Sequence, residues 1–323
     1  MALPFLGNGG WSFDDVPDLS GQTVVVTGAN SGIGYHVTEA FAANGADVVM
    51  ACRSVGRGER SKTKLEDEVP AERLAVERLD LADLDSVHSF VERFEANYAD
   101  LHVLCNNAGI MAIPRRETTD GFEYQFGVNH LGHFALTGQL LHRLQATDGE
   151  TRVVTQSSGL HANGEIQFDD LQSEDEYGEW AAYAQSKLAN VLFAYELDRR
   201  LDAAGTTVSS VACHPGYADT NLQRRGPELR GSRLRLWAMQ AANALFAQPA
   251  RRGALPMLYA ATSREVTGGE YVGPGGFLNM RGAPDVQPSS DRSNDETLAR
   301  RLWEVSEELT GVEYDLRTPA TAD

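Results

Sequence analysis

The sequence has little cysteine, little lysine and no long apolar run, and each shortage excludes something. Cys52, Cys105 and Cys213 are too few, too scattered and odd in number to form a disulfide framework. They point to a soluble chain in a reducing, cytoplasmic setting. No apolar run approaches the roughly 18 residues needed to cross a bilayer, so no membrane span is expected. The start, Met1 to Gly10, has neither the basic region nor the apolar stretch of a signal peptide. Positive charge is scarce too: 28 basic against 46 acidic residues leave a net charge of −18. An acidic surface repels phosphates, which argues against a nucleic-acid or anionic-membrane partner. Only Lys62, Lys64 and Lys187 are lysines; the other 25 basic residues are arginines.

No metal site is expected. Gly159 to Trp180 carries Glu165, Asp169, Asp170, Glu174, Asp175, Glu176 and Glu179, but without regular ligand spacing or an accompanying cysteine. It reads as a solvated insertion. His130 and His133 lie three apart with no third ligand in sight and read as helix-surface or packing histidines.

What is present is an alternation of short β-branched runs with helical stretches, the pattern of an α/β fold with a doubly wound parallel sheet covered by helices on both faces. Expected strands are Thr23 to Thr27, Asp47 to Cys52, Leu74 to Leu81, His102 to Asn106, Arg152 to Thr155 and Thr207 to Ala212. Between them fall helices at Ile33 to Asn44, Gly56 to Glu68, Leu84 to Tyr98, within Gly121 to Leu144, and at Tyr183 to Leu201. With no linker and no second pattern, the chain reads as a single Rossmann-type domain over 21–280, with an N-terminal extension (1–20) and a C-terminal one (281–323).

Three motifs carry chemistry. Thr27-Gly28-Ala29-Asn30-Ser31-Gly32-Ile33-Gly34 sits where the first strand turns into the first helix. There, glycines let the backbone approach a phosphate and the helix N-terminus offers free N–H groups. The second strand ends in Cys52 and Arg53, with no carboxylate to hold a ribose 2′-hydroxyl. A guanidinium fork suits a 2′-phosphate, so NADP(H) is favoured over NAD(H); the plain alternative is a surface arginine. Tyr183 and Lys187, four apart, share one helix face. A free phenol with a pKa near 10 is a poor base, and an adjacent ammonium lowers that value. In a chain that otherwise uses arginine, a lysine at this position stands out.

The GxxxGxG turn and the YxxxK pair resemble the short-chain dehydrogenase/reductase family, and five more motifs follow in order. Asp80-Leu81 matches the family's adenine contact. Asn106-Asn107-Ala108-Gly109 matches its NNAG motif. Asn129 matches the helix asparagine that holds a relay water. Ser157-Ser158 ends the fifth strand, and its second serine orients the substrate carbonyl in the family. Pro215-Gly216 with Thr220 resembles the segment lining the nicotinamide.

The resemblance runs from Gly21 to Gly276. The 25-residue gap between Ser158 and Tyr183 is similar to that of a retinol-dehydrogenase-like subgroup. It implies an NADP(H)-dependent oxidoreductase that interconverts a carbonyl and an alcohol. Tyr183 is then the acid and base, Lys187 tunes it and holds the ribose, and Ser158 polarises the substrate oxygen. Leu222 to Phe246 would cover an apolar small-molecule substrate, or equally form an amphipathic helix that packs on the sheet or on another subunit. Many members pair through the helices that here hold Asn129 and Tyr183, which leaves a homo-oligomer open.

A rival reading is a non-catalytic NADP-sensing or scaffold protein on the same fold, though such proteins usually lose the Tyr or Lys. A methyltransferase shares the first loop but has no use for YxxxK. The excess of acidic residues over lysine resembles proteins of a salt-saturated cytoplasm, the favoured reading; the plain alternative is a high-GC genome that favours arginine codons.

Overall fold

Strands apolar on both sides need cover on both faces. In the computed structural model, which describes residues 10–216, 218–219, 248–276 and 279–316, the β-branched runs meet that need. They form β1 (Thr23–Thr27), β2 (Asp47–Cys52), β3 (Leu74–Arg78), β4 (Val103–Asn106), β5 (Thr151–Gln156) and β6 (Val208–Cys213). Further along come the short pair β7 (Ala218–Asp219) and β8 (Gln248–Pro249), then β9 (Tyr271–Pro274) and β10 (Pro284–Val286). Eight strands make one sheet in the order β10-β9-β6-β5-β4-β1-β2-β3, all parallel except β10. Chain order reverses between β1 and β4, where an open α/β sheet leaves a crevice at the carboxyl ends of its strands. The fold expected from the sequence is the one observed.

The helices are α1 (Gly32–Ala43), α2 (Val55–Leu65), α3 (Leu84–Asn97), α4 (Tyr124–Phe126), α5 (Gly132–Ala146), α6 (Glu179–Ala203), α7 (Ala250–Gly253), α8 (Leu255–Thr262) and α9 (Glu296–Thr310). Alternate strand residues point to opposite faces. Val24, Val26, Val48 and Met50 pack with Phe41 of α1 and Leu258 of α8. Val25, Val49, Leu104 and Val153 pack with Phe90 of α3, Phe134 of α5 and Phe193 of α6.

Several expectations shift. β3 stops at Arg78, so Asp80 and Leu81 sit in the loop beyond it instead of closing the strand. The helix expected within Gly121 to Leu144 begins at Tyr124 and widens into a π turn over Gly127–Leu131 before α5. The 159–180 stretch does hold most of its carboxylates in solvent. It is not merely solvated, however: Ile166 and Leu171 are buried in a cluster with Leu188 and Leu192 of α6. Of the two readings open for His130 and His133, the packing one holds: both are buried. Residues after 280 supply β10 and α9, whose Leu302 and Trp303 are buried. No helix among the described residues is long and apolar enough to cross a membrane, and they hold no group of three metal-binding side chains.

Candidate active site

One cleft of about 960 Å³ opens along the carboxyl ends of the strands. Nearly every site residue expected from the sequence that falls within the described residues lines it: Gly28, Asn30, Ser31, Gly32, Ile33, Gly34, Arg53, Asp80, Leu81, Asn107, Ala108, Gly109, Ser158, Tyr183, Lys187, Pro215 and Gly216. Asn129 alone stands behind the wall. Thr220 and the Leu222 to Phe246 segment lie outside the described residues.

The phosphate end is built from backbone. Gly28 has φ +68°, a left-handed turn that side chains disfavour. A Cβ on Gly34 would meet Gly28 O and Asn107 Nδ2, so the first helical turn packs directly on the loop. Ser31 caps α1 without a side-chain hydrogen bond, which leaves the first N–H groups open to an anion. The turn is tied down by Thr27, whose Oγ1 accepts from the Asn107 and Ala108 N–H groups at 2.9 Å each, while Asn107 Nδ2 donates to Thr27 O at 2.7 Å. Arg53, exposed just past β2, donates to the Tyr124 hydroxyl at 3.0 Å, and Arg57 lines the same end from α2. Two guanidiniums and open N–H groups in a glycine cradle fit a dinucleotide carrying phosphates.

At the other end, α6 presents Tyr183 and Lys187. Lys187 Nζ sits 5.8 Å from the centre of the Tyr183 ring and donates to Gln156 O at 3.1 Å. Burial pushes the Tyr183 hydroxyl up to about 12, against the lowering effect of a hydrogen bond with Ser158. Burial likewise brings the Lys187 ammonium down to about 8. The lowering of the Tyr183 pKa expected from the Lys187 ammonium is not seen in the protein by itself, because desolvation penalises the charged form of both groups.

Asn129 lies in the π turn, where its Oδ1 accepts from Ile110 N at 2.8 Å. Its Nδ2 donates to Ile110 O at 3.0 Å and Ser186 Oγ at 2.9 Å, so both amide hydrogens are used.

The comparisons with known proteins follow this geometry. A family model described as short chain dehydrogenase matches residues 22–229. Human retinol dehydrogenase 12 is 41% identical over 299 residues, covering 92% of this chain and 89% of the relative. The chain belongs to the short-chain dehydrogenase family. Human retinol dehydrogenase 13 is 39% identical over 298 residues, with 91% of this chain and 86% of that one covered. Among solved structures, an uncharacterised protein from Mycobacterium paratuberculosis matches with TM-score 0.77 and 41% identity, covering 94% of this chain and 99% of its own. A proposed NAD(P)-dependent gluconate 5-dehydrogenase from Beutenbergia cavernae, solved with bound NADP, matches at TM-score 0.59 and 26% identity, covering 79% and 95%. The chain is thus a retinol-dehydrogenase-like member of an oxidoreductase family.

Sequence reasoning missed much of this dehydrogenase's cleft. Arg57 follows Arg53 four residues later, in the first turn of α2, and this second arginine was a usable signal. Tyr124, His161, Tyr271, Asn279, Met280 and residues 287–290 also line the cleft. They come from segments far apart in the chain, and no local pattern joins them.

Proposed function

We propose that this chain is an NADP(H)-dependent oxidoreductase that interconverts a carbonyl and an alcohol, with Tyr183 as the acid and base. The observation that carries the reading is the convergence of Ser158, Tyr183 and Lys187 at one end of a cleft whose other end is an anion cradle with Arg53 and Arg57. Gly28, Asn30, Ser31, Gly32, Ile33 and Gly34 would hold the pyrophosphate. Arg53 would take the 2′-phosphate, while Asp80 and Leu81 would meet the adenine. Asn107, Ala108 and Gly109 would take the ribose side, with Pro215, Gly216 and Thr220 at the nicotinamide. When bound, the cofactor supplies or accepts the hydride.

The protein's own task is the proton. With its pKa high, the Tyr183 hydroxyl is protonated at neutral pH and suited to give a proton to the oxygen of a carbonyl being reduced. Ser158, hydrogen-bonded to Tyr183, steadies that oxygen. Lys187, in its charged form, favours the phenolate left behind. A Cβ on Gly109 would lie 3.2 Å from Asn129 Oδ1 and 3.5 Å from Lys187 Nζ. The missing side chain leaves that space open for a water that Asn129 would hold, and the water, not the amide, would relay a proton to Lys187. Exposed Trp180, 55% accessible and edge-on to Tyr183, and Leu160 give the mouth an apolar rim suited to an apolar small molecule.

NADPH consumption with a panel of aldehydes and ketones tests the reading. Tyr183→Phe is expected to lower kcat by about 100-fold or more, the scale of a lost general acid, while NADPH still binds. Equal inertness of wild type and variant, with NADPH binding intact, would instead support a sensor. Arg53→Ala is expected to raise KM for NADP about tenfold with little change for NAD, the scale of a charge-assisted hydrogen bond; an unchanged preference rules out the 2′-phosphate contact.

A further inference from the structure

The main-chain carbonyl of Ser158 receives three donors: the His161 N–H at 3.0 Å, His161 Nδ1 at 2.8 Å and the Tyr271 hydroxyl at 3.4 Å. On the far side of the same imidazole, the Ser290 N–H donates to His161 Nε2 at 3.1 Å. A nitrogen that accepts a backbone N–H carries no proton, so the ring proton sits on Nδ1, where it faces the Ser158 carbonyl at 2.8 Å and the Tyr271 hydroxyl at 3.1 Å. The ring is 4% exposed, edge-on to Tyr271 with centroids 5.0 Å apart, and burial lowers its pKa. Ser290 closes a stretch, Gln287 to Ser290, that lines the cleft. The Tyr195 hydroxyl of the catalytic helix α6 also donates to this stretch, to Ser289 Oγ at 2.8 Å.

We propose that His161 is a positioning residue that ties the substrate-orienting serine to the 287–290 wall of the cleft. One edge of the ring fixes the peptide that carries the Ser158 hydroxyl beside Tyr183; the other holds the wall at a set distance from it. A carbonyl substrate is thereby gripped and aligned by one rigid unit, although serine and wall lie more than 100 residues apart. The tie from ring to wall stands on the contacts alone; its effect on turnover rests on the function proposed above.

Two isosteric variants separate the two edges. The amide of asparagine falls near Nδ1 and that of glutamine near Nε2, so His161→Asn keeps the serine contact and His161→Gln keeps the wall contact. With NADPH and an apolar aldehyde, His161→Asn is expected to raise KM about tenfold with kcat within about twofold, the worth of one hydrogen bond. His161→Gln is expected to lower kcat about tenfold with KM within about twofold. Hydrogen–deuterium exchange over residues 286–292 is expected to quicken in His161→Asn and stay protected in His161→Gln. NADPH affinity, measured by fluorescence, is expected to match wild type in both.

Matching losses of kcat and KM in the two variants, with identical exchange at 286–292, overturn the proposal. So does a His161→Ala enzyme with wild-type constants and exchange. If Tyr183→Phe keeps wild-type turnover, the catalytic assignment fails instead, and the exchange comparison still judges the tie to the wall without any turnover.

Discussion

His130 and His133 have the composition of half a metal site and the surroundings of a hydrocarbon core. His130 Nε2 pairs with Ser306 Oγ at 2.9 Å between Phe126, Phe134 and Phe193. His133 spans from Asn129 O at 3.0 Å to Thr27 Oγ1 at 2.9 Å, joining the π turn to the phosphate loop. Burial brings His130 down to about 3 and His133 to about 4, from an ordinary value of 6.5. Both stay neutral in the native protein, whereas the unfolded chain takes up their protons once the pH drops below 6.5. Stability is therefore complete above that pH and falls on acidification toward 4, by about 1.4 kcal/mol per pH unit for each proton. Urea midpoints between pH 7 and pH 4.5 are expected to fall, and His133→Asn, which cannot titrate, to flatten the slope. A slope equal to wild type would count against a neutral, buried His133. The sequence left packing and surface exposure open for both, because the choice depends on distant partners such as Ser306, 176 positions from His130.

Among the elements, the π turn has the most consequence. A plain helix through residues 124–146 would continue one register; the wider turn at Gly127–Leu131 brings Asn129 against the Ile110 backbone and Ser186 of α6. Such turns recur at functional sites, and no sequence periodicity announces them. Gly132 follows directly, and a Cβ there would meet the backbone O of Leu81. Gly132→Ala therefore has to push α5 away from the Asp80–Leu81 loop or deform the loop. The expected cost is roughly 1–3 kcal/mol of stability, as for overpacking a core, with a raised KM for NADPH. Thermal unfolding and cofactor titration measure both; an unchanged KM would show that the loop tolerates the shift.

Strands β1 to β6 were legible, all but β3 to within a residue or two, because each is a local run rich in β-branched residues; the short edge strand β10, Pro284–Val286, was not. Asp80 and Leu81 were the exception: the apolar pattern carries past Arg78 while the pairing with β2 ends at Cys52 and Arg78.

At the scale of the whole molecule, α9 covers the two helices through which the family resemblance left pairing open: it packs on α6 and α5. Trp303 is buried against Phe134 and Phe193 at centroid distances of 5.1 and 5.9 Å, with Tyr314 closing over it at 4.5 Å. Pairing through that face requires α9 to leave. A variant ending at Ser293 is expected to lose thermal stability or to self-associate, as seen by light scattering, because it exposes a contiguous aromatic patch. A monomer melting like wild type would show the cover to be dispensable.

The cofactor end of the cleft was readable in the sequence because its motifs are turns of four to eight residues. The substrate end was not, because its wall is assembled across long separations: His161 meets Ser290, and Tyr195 meets Ser289.

The scarcity of lysine gives the molecule an unusual map for covalent chemistry. Its side-chain amines lie in two places: Lys62 and Lys64 on the outer helix α2, and Lys187 at the bottom of the cleft. A bulky amine-directed reagent is confined to α2, so coupling through side-chain amines holds every molecule by the same face. A small one that enters the cleft meets a different amine. With its pKa brought down to about 8, Lys187 carries a sizeable share of free base under mildly alkaline conditions, when a solvated lysine is still mostly ammonium. Labelling of that one side chain, and its protection by whatever fills the cleft, reports occupancy without any turnover.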